Sequence, residues 1–258
     1  MKWRLLSVLA AGCLLSACVT ESTGVSLPRP EDGEAAQLNM EMGFRYLQQG
    51  DLQQAQIKLE KAVDQDPTLV PAQSALALVY ERLEDFEAAE RFYKEAIRLD
   101  GRDPEALNSY ATFLCRQDGR RAEGLSYFDR AIAVPQSVKF ANKSMLNTNA
   151  GVCAKPLDLA RAEDYLRAAL RLDNNYSEAL LQMADVAMQR GNGLQARAFL
   201  ERYQAIARVS PAALWLGVKI ERSMGDAAEA EKYARQLRQQ FPTSVETRQL
   251  LETERNAG

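Results

Sequence analysis

Cysteine is the residue type with the most reactive side chain in this sequence of 258 residues. The sequence contains four cysteines and no histidine. Without histidine the chain cannot use a histidine general base, a Ser-His-Asp or Cys-His arrangement, or a His-ligated metal. The alternative spacing Ser-x-x-Lys, which could support Ser-Lys catalysis, is absent as well. No motif indicates a cofactor, a metal or a small-molecule substrate, so we predict that the chain is not an enzyme.

The first two cysteines lie in and directly after an apolar segment near the N-terminus. Two basic residues precede an apolar run of 13 residues that ends at Ala17, and a helix needs roughly 20 residues to cross a bilayer. The run therefore indicates a signal peptide over residues 1–17. Its end, Leu15-Ser16-Ala17-Cys18, resembles the bacterial lipobox, which implies cleavage before Cys18 and acylation of its thiol. The alternative is an ordinary secretory signal, which would leave Cys18 as a free thiol.

The residue after the cysteine decides the destination that this resemblance implies. In Gram-negative lipoproteins an Asp at that place favours the inner membrane, whereas Val19 stands here. We therefore expect a lipid-anchored protein of the outer membrane that faces the periplasm. The next stretch is polar, contains Ser, Gly and Pro, and lacks helical periodicity. It predicts a flexible, lipidated tether over residues 18–35.

The overall composition is typical of a water-soluble globular protein, with 47% hydrophobic and 26% charged residues. Thirty-two basic residues against 35 acidic ones give a net charge of −3. The chain therefore lacks the excess of basic residues that indicates a nucleic-acid partner. No apolar run after the signal peptide is long enough to span a membrane. We therefore expect a protein partner, reached from a membrane surface.

A period of 34 residues fills the rest of the chain. Small residues recur at three places of each repeat, as Gly43, Ala55 and Ala62 and then Ala77, Ala89 and Ala96. This pattern resembles the tetratricopeptide repeat, in which two antiparallel helices meet at small residues. We predict an all-α tetratricopeptide-repeat superhelix of six helical hairpins plus a C-terminal capping helix, with the first helix of each repeat on the concave face. The predicted repeats span 36–69, 70–103, 104–138, 143–176, 177–210 and 211–244, and the capping helix and tail span 245–258.

The remaining two cysteines lie at equivalent positions along the first helices of repeats three and four. Because consecutive repeats are neighbours and the periplasm is oxidising, Cys115 and Cys153 are predicted to form a disulfide bond. The alternative is two buried free thiols. No Cys-x-x-Cys spacing supports redox catalysis or zinc binding.

The segments around these cysteines carry a more specific resemblance. They read Asn-Ser-Tyr-Ala-Thr-Phe-Leu-Cys up to Cys115 and Asn-Ala-Gly-Val-Cys up to Cys153. Together with the lipobox and six repeats, they resemble the PilF/PilW family of type IV pilus biogenesis and stability lipoproteins over essentially the whole chain. The resemblance implies a pilotin, which promotes outer-membrane localisation and multimerisation of the type IV pilus secretin, and we expect a monomer by itself. The alternative is a periplasmic tetratricopeptide lipoprotein that serves cell-wall enzymes or outer-membrane protein assembly.

Apolar side chains predict where a partner binds. Met40, Phe44 and Leu47 are expected to face the concave groove from repeat one, and Leu78 from repeat two. Clustered exposed apolar residues mark an interaction site more often than scattered ones, and we predict a groove for an apolar peptide or helix. The alternative is that the tether or a neighbouring helix covers these side chains.

Two further features on the same face could contribute to binding. Arg82, Arg116 and Lys155 recur at the thirteenth place of three successive repeats, where a ladder of cations could pair with an acidic segment or a carboxyl terminus. The alternative is a solvated face. Trp215 of repeat six lies on the groove side and is either an interface anchor or part of the core of a degenerate terminal repeat.

Overall fold

A computed structural model describes residues 30–137, 139 and 142–257 of the chain. The predicted signal peptide, Cys18 and the first part of the tether lie outside these residues. The described residues form thirteen α-helices joined by short turns. The helices are α1 (Pro30–Gln49), α2 (Leu52–Gln65), α3 (Val70–Arg82), α4 (Phe86–Leu99), α5 (Pro104–Arg116), α6 (Arg121–Ala133), α7 (Lys143–Ala154), α8 (Leu159–Leu172), α9 (Ser177–Gln189), α10 (Gly193–Ile206), α11 (Pro211–Ser223), α12 (Ala227–Gln240) and α13 (Val245–Ala257).

The helices pair into six antiparallel hairpins, α1/α2 to α11/α12, and α13 packs against α11 and α12 at the C-terminal end. The odd-numbered helices, here called A helices, also contact one another from one repeat to the next, and the even-numbered ones are called B helices. The predicted all-α superhelix of six hairpins with a capping helix is confirmed.

Small residues allow the close approach of the helices within each hairpin. Ala55, Ala62, Ala77, Ala89 and Ala96 are all completely buried. Their methyl groups leave room for larger side chains of the adjacent helix, which is why interior packing at these places is dense. In the degenerate fifth and sixth repeats the last of the three places holds the larger, still buried residues Tyr203 and Leu237.

The turns between A and B helices use a left-handed backbone residue followed by a capping residue. Gly50, Gly191 and Gly225 have φ near +80°, and Glu84 takes the same place in the second repeat with φ +64°. Glycine adopts this conformation without steric cost, whereas a residue with a Cβ does not. Aspartates next to the turns cap the B helices, as Asp51 and Asp85 do by accepting N–H bonds three residues on.

The first helix extends beyond the predicted start of repeat one. Helix α1 begins at Pro30 rather than at residue 36, so residues 30–35 of the predicted tether are helical. Proline suits the first turn of a helix, and the carboxylates of Asp32 and Glu34 lie near its positive end. The side chains of residues 32–35 are not buried, and the first buried side chain of α1 is that of Ala36. This agrees with the absence of apolar periodicity in this stretch of the sequence.

Candidate partner-binding grooves

Two grooves open between the A helices. The N-terminal groove encloses about 440 Å³ between α1, α3, α5 and α7. Its lining residues include the apolar side chains of Phe44, Val70, Pro71 and Leu78 and the polar side chains of Glu81, Glu105, Asn108, Arg116 and Asn149.

The four apolar residues predicted to form the binding site have different environments. Phe44 is 38% exposed and lines the N-terminal groove together with the half-buried Leu78. Met40, one turn earlier, is half-buried and packs on the core between α1 and α3. Leu47 is only 6% exposed, so its prediction as a groove residue is wrong. Helix α3 covers it, because Leu47 lies on the side of α1 that faces Leu76 and Val79 in the core.

A buried carboxylate lies in the wall of the N-terminal groove. The Glu81 side chain is 8% exposed, and it accepts hydrogen bonds from the Arg116 guanidinium at 2.7 Å and from the Tyr93 hydroxyl at 2.9 Å. Burial raises the pKa of Tyr93, and the adjacent charge of Glu81 raises it further, so the phenol remains a donor. Across the groove, the Asn149 amide donates to the side-chain oxygen of Asn108 at 2.9 Å.

The three cations predicted to form a ladder do not stand as one free stack. Arg82 donates to the backbone carbonyl of Leu47 at 3.3 Å and so holds the end of α1. Arg116 pairs with Glu81 on the preceding repeat, and Lys155 pairs with Asp185 on the following one. The cations therefore join neighbouring repeats, and only Arg116 and Lys155 line grooves, one groove each.

The C-terminal groove, of about 210 Å³, lies between α7, α9, α11 and α13. Trp215 is half-buried there, with part of its ring packed on the core formed by Leu214, Val218 and Leu250. Trp215 therefore contributes to the core of repeat six and also lines the groove, and its role as an interface anchor stays a prediction. The lining residues are Lys155, Leu181, Gln182, Asp185, Ala212, Trp215, Leu216, Lys219, Glu246 and Gln249.

The charges at the C-terminal groove centre on Asp185. The Lys155 ammonium donates to Asp185 Oδ2 at 2.5 Å and to Gln182 Oε1 at 2.9 Å. Burial raises the pKa of Asp185, but the hydrogen bond and charge of Lys155, and the nearby charge of Lys219, bring it below its ordinary value. Asp185 is therefore ionised at neutral pH and paired with Lys155.

Cys115 and Cys153 form the predicted disulfide bond between α5 and α7, with Cα atoms 5.6 Å apart. Both residues are buried, at 7% and 2% exposure, in the core cluster that spans repeats three and four. Lys139 belongs to the segment that interrupts the repeat period, which precedes α7, whereas the two cysteines lie near the C-terminal ends of α5 and α7. Lys139 in that segment donates to Asp100 at 2.9 Å and also pairs with Asp103, the cap of α5.

Sequence reasoning missed the carboxylates that partner the cations. Glu81 lies 35 positions before Arg116, one repeat length plus one, and this spacing is the signal that could have revealed the pair. Asp185 lies 30 positions after Lys155 and gives no such periodic signal. Within the described residues no cluster of acidic or sulfur ligands could hold a metal ion. None of the helices described is both long and apolar enough to span a membrane.

Comparisons with known proteins agree with this architecture. The tetratricopeptide-repeat family matches residues 46–113 and 158–216. The chain is 29% identical over 246 residues to the type IV pilus assembly protein PilF of Pseudomonas aeruginosa, covering 94% of each chain. The crystal structure of PilW, described as a widely conserved type IV pilus biogenesis factor, is 28% identical with a TM-score of 0.75, over 84% of this chain and 98% of that one.

A structure of Pseudomonas aeruginosa PilF is also similar, at 27% identity and a TM-score of 0.71, over 86% of this chain and 99% of that one. Scaffolds of this type bind proteins and are non-catalytic, as the sequence predicted for this chain. The match extends over nearly the full length of these relatives rather than over the generic repeats alone. The chain is therefore an all-α tetratricopeptide-repeat protein that is similar to PilF and PilW over nearly their whole length.

Proposed function

We propose that this chain is a pilotin: an outer-membrane lipoprotein that binds the type IV pilus secretin and promotes its localisation and multimerisation. The observation that carries the proposal is the similarity to PilF and PilW over nearly their whole length. Both relatives are named for type IV pilus assembly or biogenesis. A fold made only of helical hairpins supports many functions, so the full-length match counts for more than the fold.

The N-terminal groove is the part of the surface best suited to an apolar segment of the partner. Phe44 leaves 38% of its side chain exposed beside the half-buried Leu78, and burying such an aromatic ring is a large favourable term in binding. Both residues lie on A helices, which hold them in place without a partner. The groove therefore needs little reorganisation when an apolar helix or peptide enters it.

The lipid anchor at Cys18 places this groove near the membrane. Because α1 begins at Pro30, eleven residues separate it from Cys18. Even a fully extended chain of that length reaches only on the order of 40 Å. The repeat array would then meet the secretin close to the inner leaflet of the outer membrane.

The first experiment is membrane fractionation of the secretin in a strain that lacks this protein, with detection of the heat-stable multimer. We expect the secretin to remain monomeric or to reach the inner membrane. Complementation with Cys18→Ser tests the lipid, and Val19→Asp tests its sorting, since Asp should retain the protein in the inner membrane. Normal secretin multimers in the outer membrane of the deletion strain would refute the pilotin proposal and favour a cell-wall scaffold.

The groove is tested separately by Phe44→Asp. A carboxylate in the apolar part of the groove should weaken secretin binding at least tenfold while helicity, measured by circular dichroism, stays unchanged. Ile57→Asp is the matched control, because Ile57 is 48% exposed on the B helix α2 and does not line the groove. Equal secretin binding by the two variants would show that the partner binds elsewhere.

A further inference from the structure

The C-terminal groove has the features of a second contact site. We propose that it binds another segment of the same partner, one that carries an apolar side chain next to a carboxylate. The inference rests on the proposed function for the identity of the partner. It goes beyond that function because it assigns a separate site at the other end of the concave face.

The apolar part of the site is formed by Trp215 and Leu181, both half-buried. The indole is fixed on one side by the core of repeat six and leaves the other side in the groove. Tryptophan in such a position combines a large contact area with little loss of side-chain freedom. The groove volume of about 210 Å³ equals about seven liquid water molecules, which suits one or two side chains rather than a whole helix.

Lys219 is the cation of the groove that can receive an anionic group. Lys155 hydrogen-bonds to Asp185 and forms an ion pair with it. Lys219 makes no hydrogen bond or ion pair within the described part of the chain, although it is half-buried beside Trp215. Glu246, the other acidic residue of the groove, lies in the first turn of α13 and likewise forms no ion pair within the described residues. One ammonium group therefore remains for a carboxylate from a partner.

The two grooves differ in the charge they leave unpaired. In the N-terminal groove Arg116 forms an ion pair with Glu81, and Asp103 forms one with Lys139. Glu105 is exposed and forms no ion pair within the described residues. The N-terminal groove thus offers the carboxylate of Glu105 and no unpaired cation, whereas the C-terminal groove offers the ammonium group of Lys219 as well as the carboxylate of Glu246. A carboxylate on the partner is therefore repelled by Glu105 in the first groove and can pair with Lys219 in the second.

Trp215 itself reports occupancy of the site. The sequence holds two tryptophans, and the other is Trp3 in the predicted signal peptide. A chain of residues 18–258 with Cys18→Ser keeps every described residue and has Trp215 as its single tryptophan. The probes are overlapping 15-residue peptides that cover the periplasmic part of the secretin from the same genome, with any tryptophan replaced by phenylalanine.

We expect at least one peptide to shift the Trp215 emission to shorter wavelength and to protect it from iodide quenching. That peptide should bind Lys219→Gln at least tenfold more weakly, and replacing its carboxylate by an amide should have no additional effect on this variant. Lys61→Gln is the matched control, because Lys61 is exposed on α2 and makes no ion pair among the described residues.

Two results would overturn the inference: no secretin peptide alters the Trp215 emission, or the active peptides bind Lys219→Gln as well as the unmodified chain. Either result leaves the proposed function standing if secretin multimers still depend on this protein in the deletion strain. Conversely, if the multimers form without it, the pilotin proposal fails by its own experiment. The two failures are therefore distinguishable.

Discussion

The Sγ atom of Cys115 lies against the backbone of Gly124, so closely that a Cβ added at Gly124 would stand 2.6 Å from it. The same Cβ would stand 2.8 Å from the carbonyl oxygen of Ala111. Neither neighbour can move freely, because one belongs to a disulfide and the other to helix α5. Repeat three therefore needs glycine at position 124, because the Cys115–Cys153 disulfide that joins repeats three and four leaves no room for a side chain there.

Gly124→Ala should destabilise the protein by about 1–3 kcal/mol, the usual cost of an extra methyl group in a packed core. The measurement is urea unfolding followed by circular dichroism. Gly33→Ala is the control, since a Cβ at Gly33 in α1 meets nothing within 4 Å, and alanine is the better helix former. Equal effects of the two substitutions would contradict the packing argument.

Removing the disulfide should weaken the joint between repeats three and four. The bond closes a separation of 38 residues, for which chain entropy gives about 4 kcal/mol. We expect Cys115→Ser/Cys153→Ser to lower the free energy of unfolding by about 2–4 kcal/mol and to broaden the transition, because repeats are stabilised by their neighbours. Reducing agent should reproduce the loss in the unmodified chain and leave the double variant unaffected; any effect on the variant would point to another cause.

Glu90 links stability to pH. Its pKa is lowered from 4.5 to about 2, first by the hydrogen bond from Arg120 at 2.8 Å, and also by bonds from Lys94 and Tyr110. A lowered pKa in the folded state stabilises the protein above pH 4.5, and this contribution disappears as the pH falls through about 2.

Glu90→Gln should therefore cost about 1–2 kcal/mol at pH 7, after allowance for solvent screening. The difference from the unmodified chain should shrink below pH 4.5 and vanish near pH 2. Urea midpoints measured from pH 7 to pH 2 test this. Glu41→Gln, on the exposed surface of α1, is the matched control for the loss of a carboxylate that makes no ion pair among the described residues. A constant difference for Glu90→Gln at all pH values would rule out the charge as its cause.

Glu84 offers a stabilising substitution. It takes φ +64° in the turn between α3 and α4, where four other repeats have glycine. The left-handed conformation costs a residue with a Cβ roughly 1–2 kcal/mol, and glycine avoids this cost. Glycine also has more conformational freedom in the unfolded chain, which offsets up to about 1 kcal/mol of the gain in stability. Glu84→Gly should raise the free energy of unfolding by about 0.5–1 kcal/mol. Glu87→Gly, inside helix α4, should lower it instead.

The repeat architecture could be predicted because its causes are local and periodic. Ala55 and Ala89 recur 34 positions apart since each hairpin needs a small residue where its helices cross. The disulfide followed from the same period, because Cys115 and Cys153 take nearly equivalent places on neighbouring A helices. A pattern that every repeat must satisfy is visible in a single sequence.

The surface of the grooves was decided by the tertiary structure. Leu47 and Phe44 are both large apolar residues of α1, yet α3 covers one and leaves the other exposed. Lys155 resembles Arg116 by position but pairs forward with Asp185 instead of backward, so the expected ladder is divided between two grooves. Exposure and ion pairing depend on which side chain of the next repeat fills the adjacent space. That choice varies from joint to joint, because packing between repeats is set by particular contacts and not by the period.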